Sequence, residues 1–459
     1  MSRSLRTFSS FLAKAAALCA AAALAVQPVA AQSVLRDAET EALLHDMASP
    51  LISAAGLDPK NVDVVLVNDS SINAFVINGQ TVFLNAGLIN AADSANQVQG
   101  VIAHELGHIT GGHAISGAEG GKAATNITLL SLLLGVAAAA AGAGDAAMGV
   151  IMAGQQAALG KYLAFSRAQE SQADAAGASF LAKAGISGRG SVEFFKKLAG
   201  EAYRQGYAQS DMDTFMSTHP LEADRIATLE DSYEKDPAWN KPSDPALEAR
   251  FRRAKAKLYG YLAEPANTLL VYPLTDNSVP ARYARAYAWH KDAFLDKSLG
   301  EVEALLKSAP ADPYFLELKG QVLLESGKPV EALAPLRRAT ELTANQPLIA
   351  TTLGHALVAT EDPQNLAEAQ KVLKVAVARD RENPDAWYQL GMVYAANGDT
   401  PRARLASAEQ QALSGQMAEA LRNAEAAEAT LPKGTPDWLR AQDITMQARA
   451  ALERTKKRK

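Results

Sequence analysis

Two histidines four residues apart, with a glutamate directly after the first, His104-Glu105-x-x-His108, have the residue types for hydrolysis. On a helix that spacing is close to one turn, so both imidazoles reach one ion. Glu105 then stands beside the ion, placed to take a proton from an attacking water. This is the zinc-peptidase pattern His-Glu-x-x-His. Five residues also match by chance, and the alternative at this point is an ordinary amphipathic helix. Val101, Ile102, Ala103, Leu106 and Ile109 supply the apolar residues to bury it.

A catalytic zinc takes three protein ligands and leaves one position open. Glu170 and Asp174, four apart on a second helical stretch, share a face. Glu170 supplies the missing ligand; Asp174, one turn on, either holds a ligating histidine by hydrogen bond or protonates the developing intermediate. A solvated acidic face is the alternative for this pair alone. Ser217-Thr218-His219-Pro220 reads as a helix start with Pro220 in its first turn. His219 has three open readings: a fourth ligand that displaces water and holds the site off, a donor to the tetrahedral intermediate, or a structural histidine. His45, His113, His290 and His355 show no partner pattern and read as surface or core residues, although His113 is only five beyond His108.

Several elements must position these groups. Apolar residues at helical spacing predict a helix over 33–57, with Gly56 past its end. Val62–Val67, Ile72–Ile77 and Thr81–Leu84 read as strands, the last two joined by the hairpin signal Asn78-Gly79. Asn73, Ala74 and Phe75 are candidates for an edge that hydrogen-bonds an extended peptide substrate; a purely structural hairpin fits the pattern equally. Residues 127–159 read as two short apolar helices around Gly142-Ala143-Gly144-Asp145. They are too short to span a bilayer comfortably, so a buried or membrane-touching hairpin is expected.

The set His104-Glu105-x-x-His108, Glu170-x-x-x-Asp174 and Ser217-Thr218-His219-Pro220, over roughly Asn61 to Leu229, resembles the zinc metallopeptidase family of the CAAX prenyl proteases and the membrane heat-shock protease HtpX. The resemblance implies one Zn2+ per subunit on His104, His108 and Glu170, Glu105 as base, and Asp174 as proton donor or supporting residue.

Residues 1–31 read as a secretory signal peptide: Arg3, Arg6 and Lys14 precede an apolar run from Ala15 to Val26, and Val29-Ala30-Ala31 offers a cleavage site. Cys19, the only cysteine, lies within it, so the mature protein forms no internal disulfide. Losing its three positive charges takes the formal net charge from −5 to −8, which excludes nucleic acid as the expected partner. Residues 32–235 then form the peptidase domain, 236–262 a linker with a charged, solvated helix, and 263–459 a repeat domain. Gly320, Gly354 and Gly391 recur at tetratricopeptide-like spacing, and Asn383–Tyr394 carries the Trp, Leu-Gly and Tyr of that repeat. Trp438–Arg454 reads as a capping helix before a basic tail.

The fold expected is mainly α: a zincin-like α+β metallopeptidase domain with a small sheet, then an α-solenoid of tetratricopeptide repeats. Leader, peptidase and repeats together are similar to the periplasmic, repeat-bearing members of the family. That implies an endopeptidase of the periplasm, soluble or peripheral to the membrane, that degrades misfolded or stalled outer-membrane proteins. It also implies a chaperone role and contact with the outer-membrane assembly machinery through the repeats. The alternative is a latent peptidase acting mainly as a chaperone or scaffold.

Overall fold

The computed structural model describes residues 34–77, 79–113, 125, 127–134, 144–205, 219 and 223–458. The expected signal peptide, Asn78 of the hairpin turn, residues 135–143 of the apolar hairpin, and Ser217, Thr218 and Pro220 lie outside them.

The predicted helix over 33–57 divides into strand β1 (Val34–Leu35) and helix α1 (Ala38–Ala54). Asp37 sets the break, because its carboxylate accepts from the Thr40 N–H and so caps a helix that begins after it. Strands β2 (Asp63–Val67), β3 (Ala74–Ile77) and β4 (Thr81–Asn85) complete a sheet of order β1-β2-β4-β3. β2 runs parallel to β4 and β3 antiparallel to it, which leaves β3 at an edge. Leu66, Val82 and Leu84 of the sheet share one apolar core with Leu44, Met47 and Leu51 of α1.

After α2 (Ala86–Ala91) comes α3 (Ala95–Thr110), capped by Ser94 and buried along its length from Ala95 to Gly107. Residues 127–134 are helical, and α4 (Gly144–Ala184) is one continuous helix of 41 residues. The sequence reading had ended an apolar helix near 159 and started another. Isolated Gly154 and Gly160 each cost about 1 kcal/mol relative to alanine, and the surrounding Ala, Gln and Leu carry the helix through. Leu129, Leu130, Leu133, Met148 and Met152 are exposed, so the expectation of a hairpin buried in the protein is overturned for these residues. Among the described residues no helix is long and apolar enough to cross a membrane.

Two glycines fix how α3 meets α4. A Cβ on Gly107 would lie 2.5 Å from the Ala173 carbonyl oxygen, and one on Gly177 3.0 Å from that of Ala103. The close crossing puts the Glu170–Asp174 turn over His104. α5 (Arg189–Gln205) adds Phe194, Phe195 and Leu198 to the core, and α6 (Ala223–Glu234) follows.

α7 (Pro245–Leu262) is the expected basic helix, but not a solvated one. Phe251, Ala254 and Leu258 belong to the peptidase core. Arg253 and Lys257 turn inward to buried and half-buried acids: Arg253 pairs with Glu39 and, at 2.6 Å, with Asp312, while Lys257 pairs with Asp37.

From α8 (Pro265–Val271) and α9 (Val279–Lys291) the chain continues as packed helices to Arg458. Asp312, Gln346 and Asn383 each cap a helix whose first residue is proline. Gly320 and Gly354 let successive helices close on Leu336 and Leu373, which a Cβ would meet at 2.3 and 2.4 Å. The start of α1 sits on these repeats: Arg36 pairs with Asp380 at 2.9 Å, Tyr283 donates to Glu39 at 2.8 Å, and Ala38 packs with Ala339 and Ile349.

Candidate metal centre

α3 presents His104 and His108 on one face, as their spacing requires, with Nε2 atoms 3.1 Å apart. From α4, Glu170 reaches both: Oε1 lies 3.3 Å from His108 Nε2 and Oε2 3.4 Å from His104 Nε2. His219 joins them, its Nδ1 3.2 Å from His104 Nε2 and from each Glu170 oxygen. One ligand atom from each of these four residues falls within 4.8 Å of the others. The structure therefore brings together the three ligands expected from sequence and His219.

Asp174 lies on the other side of the His104 ring, its Oδ1 2.9 Å from Nδ1. Arg225 of α6 grips the same carboxylate, Nη2 donating to Oδ1 at 2.8 Å and Nε to Oδ2, and its Nη1 lies 2.9 Å from Glu170 Oε2. Burial pushes the Asp174 carboxyl up, but Arg225 and His104 outweigh it and hold it below the usual range. The Asp174 carboxylate thus stands beside His104 Nδ1, where either role expected of it would place it. For Glu170 burial also pushes up, and the surrounding ring nitrogens outweigh it, holding the carboxyl well below the usual range.

The donor set suits a cation. Burial disfavours a charged His104, yet Asp174 and Glu170 raise it to about 10, so the carboxylates around it demand a positive charge. A divalent ion held at Nε2 would meet that demand, with Nδ1 left to face Asp174. Glu105 is 1% exposed, and its Oε1 has no hydrogen-bond partner among the described residues. A buried carboxylate oxygen is rarely left so, and this one lies 3.5 Å from His219 Nε2.

The edge strand approaches the same place. Asn85 N–H donates to the Asn73 carbonyl. In an antiparallel pair bonding alternates, so Phe75 and Ile77 aim their peptide groups at β4 while Ala74 and Val76 aim theirs away from it. Of the expected edge residues, Asn73 precedes the strand, Phe75 is bonded inward and stacks on Phe83 at 5.2 Å, and Ala74 faces outward. The Ala74 carbonyl lies 3.3 Å from His219 Nε2.

Sequence reasoning missed Arg225, which sits in an ordinary amphipathic helix with no spacing to mark it. It also set His113 aside as a surface or core residue. The structure places His113 Nδ1 2.9 Å from His108 Nδ1 and its Nε2 3.1 Å from Gln172 Oε1. His45 and His355 are exposed, and His290 pairs with Glu325 at 2.6 Å.

Residues 37–232 match peptidase family M48, and residues 293–347 and 352–416 match the tetratricopeptide repeat. The chain is similar to the beta-barrel assembly-enhancing protease of Yersinia pestis, 26% identical over 401 residues that cover 85% of this chain and 80% of that protein. Its counterpart in Escherichia coli K12 is 25% identical over 422 residues, 90% of this chain and 84% of that protein. Metalloprotease LoiP of the same strain is 30% identical over 196 residues, 42% of this chain and 70% of that protein.

Proposed function

This chain belongs to peptidase family M48, and from that premise we propose a zinc-dependent endopeptidase whose ligands are His104, His108 and Glu170. The observation that carries the proposal is the convergence of these three side chains near a buried Glu105 oxygen that has no hydrogen-bond partner among the described residues. Two imidazoles and a carboxylate suit zinc better than magnesium or calcium.

When bound, zinc supplies Lewis-acid polarisation of a carbonyl and a lowered pKa for water. The protein's own groups do the rest. Glu105 Oε1 takes a proton from the attacking water and returns it to the leaving amine. Asp174, locked by Arg225, holds the proton on His104 Nδ1 and so keeps Nε2 free to ligate. The outward peptide groups of Ala74 and Val76 align an extended substrate by strand addition.

The relatives' printed name, beta-barrel assembly-enhancing protease, supports carrying the rest of the sequence reading to this chain. In that reading the leader at 1–31 exports it to the periplasm, misfolded or stalled outer-membrane proteins are its substrates, and the repeats engage the assembly machinery. A second reading is favoured by His219. Its Nδ1 stands where a fourth ligand would, and its Nε2 lies against the Ala74 carbonyl that a substrate strand would use. In this state the peptidase is latent, and a chaperone or scaffold role falls to the repeats until His219 leaves.

The test is cleavage of an unfolded polypeptide by residues 32–459, loaded with zinc, beside Glu105→Gln and His219→Ala. Glu105→Gln should lose roughly 10²–10⁴ of the rate, the usual worth of a general base, with metal retained. A rate confined to, or much higher in, His219→Ala supports the latch. Equal cleavage by wild type and Glu105→Gln would refute the mechanism.

A further inference from the structure

We propose that His113 is a positioning residue for the metal centre, acting through His108 by accepting its Nδ1 proton. The inference rests on the proposed ligation by His108 Nε2 and assigns a residue that the ligand motif does not contain.

His108 Nε2 is the ring nitrogen that converges with His104 Nε2 and Glu170. To ligate it must be bare, so the single proton of the neutral ring sits on Nδ1. The atom facing His108 Nδ1, at 2.9 Å, is His113 Nδ1. Two N–H groups cannot face one another at that distance, so His113 Nδ1 is the acceptor and its own proton lies on Nε2. That proton in turn needs an acceptor, and Gln172 Oε1 lies 3.1 Å away. The amide orientation is fixed by the same logic, because a Gln172 nitrogen there would donate to Nε2, drive the proton to Nδ1 and oppose His108. Ligation at one end and an amide oxygen at the other leave one consistent arrangement: Gln172 Oε1 accepts from His113 Nε2–H, and His113 Nδ1 accepts from His108 Nδ1–H.

The chain is shaped to put His113 there. It is 7% exposed although it follows the end of α3. Gly112 has φ +64, which turns the backbone back on the helix, and a Cβ on Gly111 would lie 2.4 Å from His113 Nε2. The two glycines are thus the turn and the seat for this ring. Gln172 lies on α4 between the ligand Glu170 and Asp174, so both histidines of α3 are oriented from one helix. His104 is oriented by a carboxylate directly and His108 by an amide through His113.

The test uses the mature protein, residues 32–459, and reads zinc affinity by chelator competition together with the melting temperature of the metal-free form. His113→Leu fills the seat without an acceptor, whereas His113→Asn places Oδ1 near the position of the lost Nδ1. We expect His113→Leu to bind zinc roughly 10–100-fold more weakly, as loss of a ligand's hydrogen-bond partner does. His113→Asn should stay within about threefold of wild type by the same reasoning, because it keeps the acceptor. Wild-type affinity in His113→Leu, or equal loss in both variants, would overturn the proposal, the latter reducing His113 to packing. Nitrogen-15 imidazole spectra of the zinc-loaded wild type give a measurement that needs no variant. His113 should appear as the neutral Nε2–H tautomer, and an Nδ1–H tautomer or an imidazolium would overturn it. A wild type that binds no zinc would overturn the metal centre itself, and this inference with it.

Discussion

The molecule buries two clusters of charge, and they are built differently. At the seam between peptidase and repeats, Asp37, Glu39 and Asp312 face Arg253 and Lys257, and Tyr283 donates to Glu39. Cations and carboxylates answer one another there. Around His104 three carboxylates, of Glu105, Glu170 and Asp174, meet one guanidinium, that of Arg225, which serves two of them. The remaining partners are histidine nitrogens crowded on one point, and among the described residues Glu105 Oε1 has no hydrogen bond, only His219 Nε2 at 3.5 Å. A compensated buried cluster joins two surfaces. An uncompensated one, which would be costly if left so, is arranged around something the chain does not supply.

Removing a cation from the seam should therefore damage the fold and leave the metal alone. Lys257→Met takes the cation from Asp37, while Glu39 keeps Arg253 and Tyr283, and the broken pair should cost about 3 kcal/mol, the low end for a buried one. Chemical denaturation should show that loss while zinc content is unchanged. Asp174→Asn acts on the metal centre: it frees the tautomer of His104, so zinc affinity should fall about 10–100-fold by chelator competition, and because it also weakens the buried pair with Arg225 a loss of stability accompanies it. Parallel effects of the two variants on both readouts would erase the distinction between the clusters.

The seam has one exception, Glu317 on the repeat helix Pro313–Glu325, which sharpens the contrast. Burial first, and then the neighbouring Asp37 and Glu39, push its carboxyl up to about 8 against Lys257, and its Oε2 has no hydrogen-bond partner among the described residues. An acid whose folded pKa lies above its unfolded value of 4.5 binds more protons folded than unfolded between them. Stability then falls as pH rises through that window. Glu317→Gln removes the dependence, and its melting temperature should exceed that of wild type by on the order of 2–4 °C at pH 9, with a smaller gap at pH 6. An identical gap at both pH values would refute the assignment.

What could be read from the sequence followed periodicity. His104, Glu105 and His108 are one helical turn apart, Glu170 and Asp174 another, and the Gly320–Gly354–Gly391 spacing announces the repeats, so those features were legible. The groups that were not are brought in by tertiary packing. Arg225 reaches Asp174 only because α6 crosses α4, and His113 reaches back only because Gly112 reverses the chain. The basic helix α7 looked solvated because the acids that bury Arg253 and Lys257 lie more than 200 residues earlier or some 60 later. The continuity of α4 was hidden by glycines that a helix tolerates at modest cost.

The central claim is that the uncompensated cluster exists to hold a metal ion, and metal analysis tests it most directly. Residues 32–459, purified without added metal and exposed to limiting zinc, should bind one zinc per chain, and Glu170→Gln should bind far less while keeping the wild-type circular dichroism. Wild-type protein that takes up no metal, or Glu170→Gln that binds as wild type does, would contradict the account.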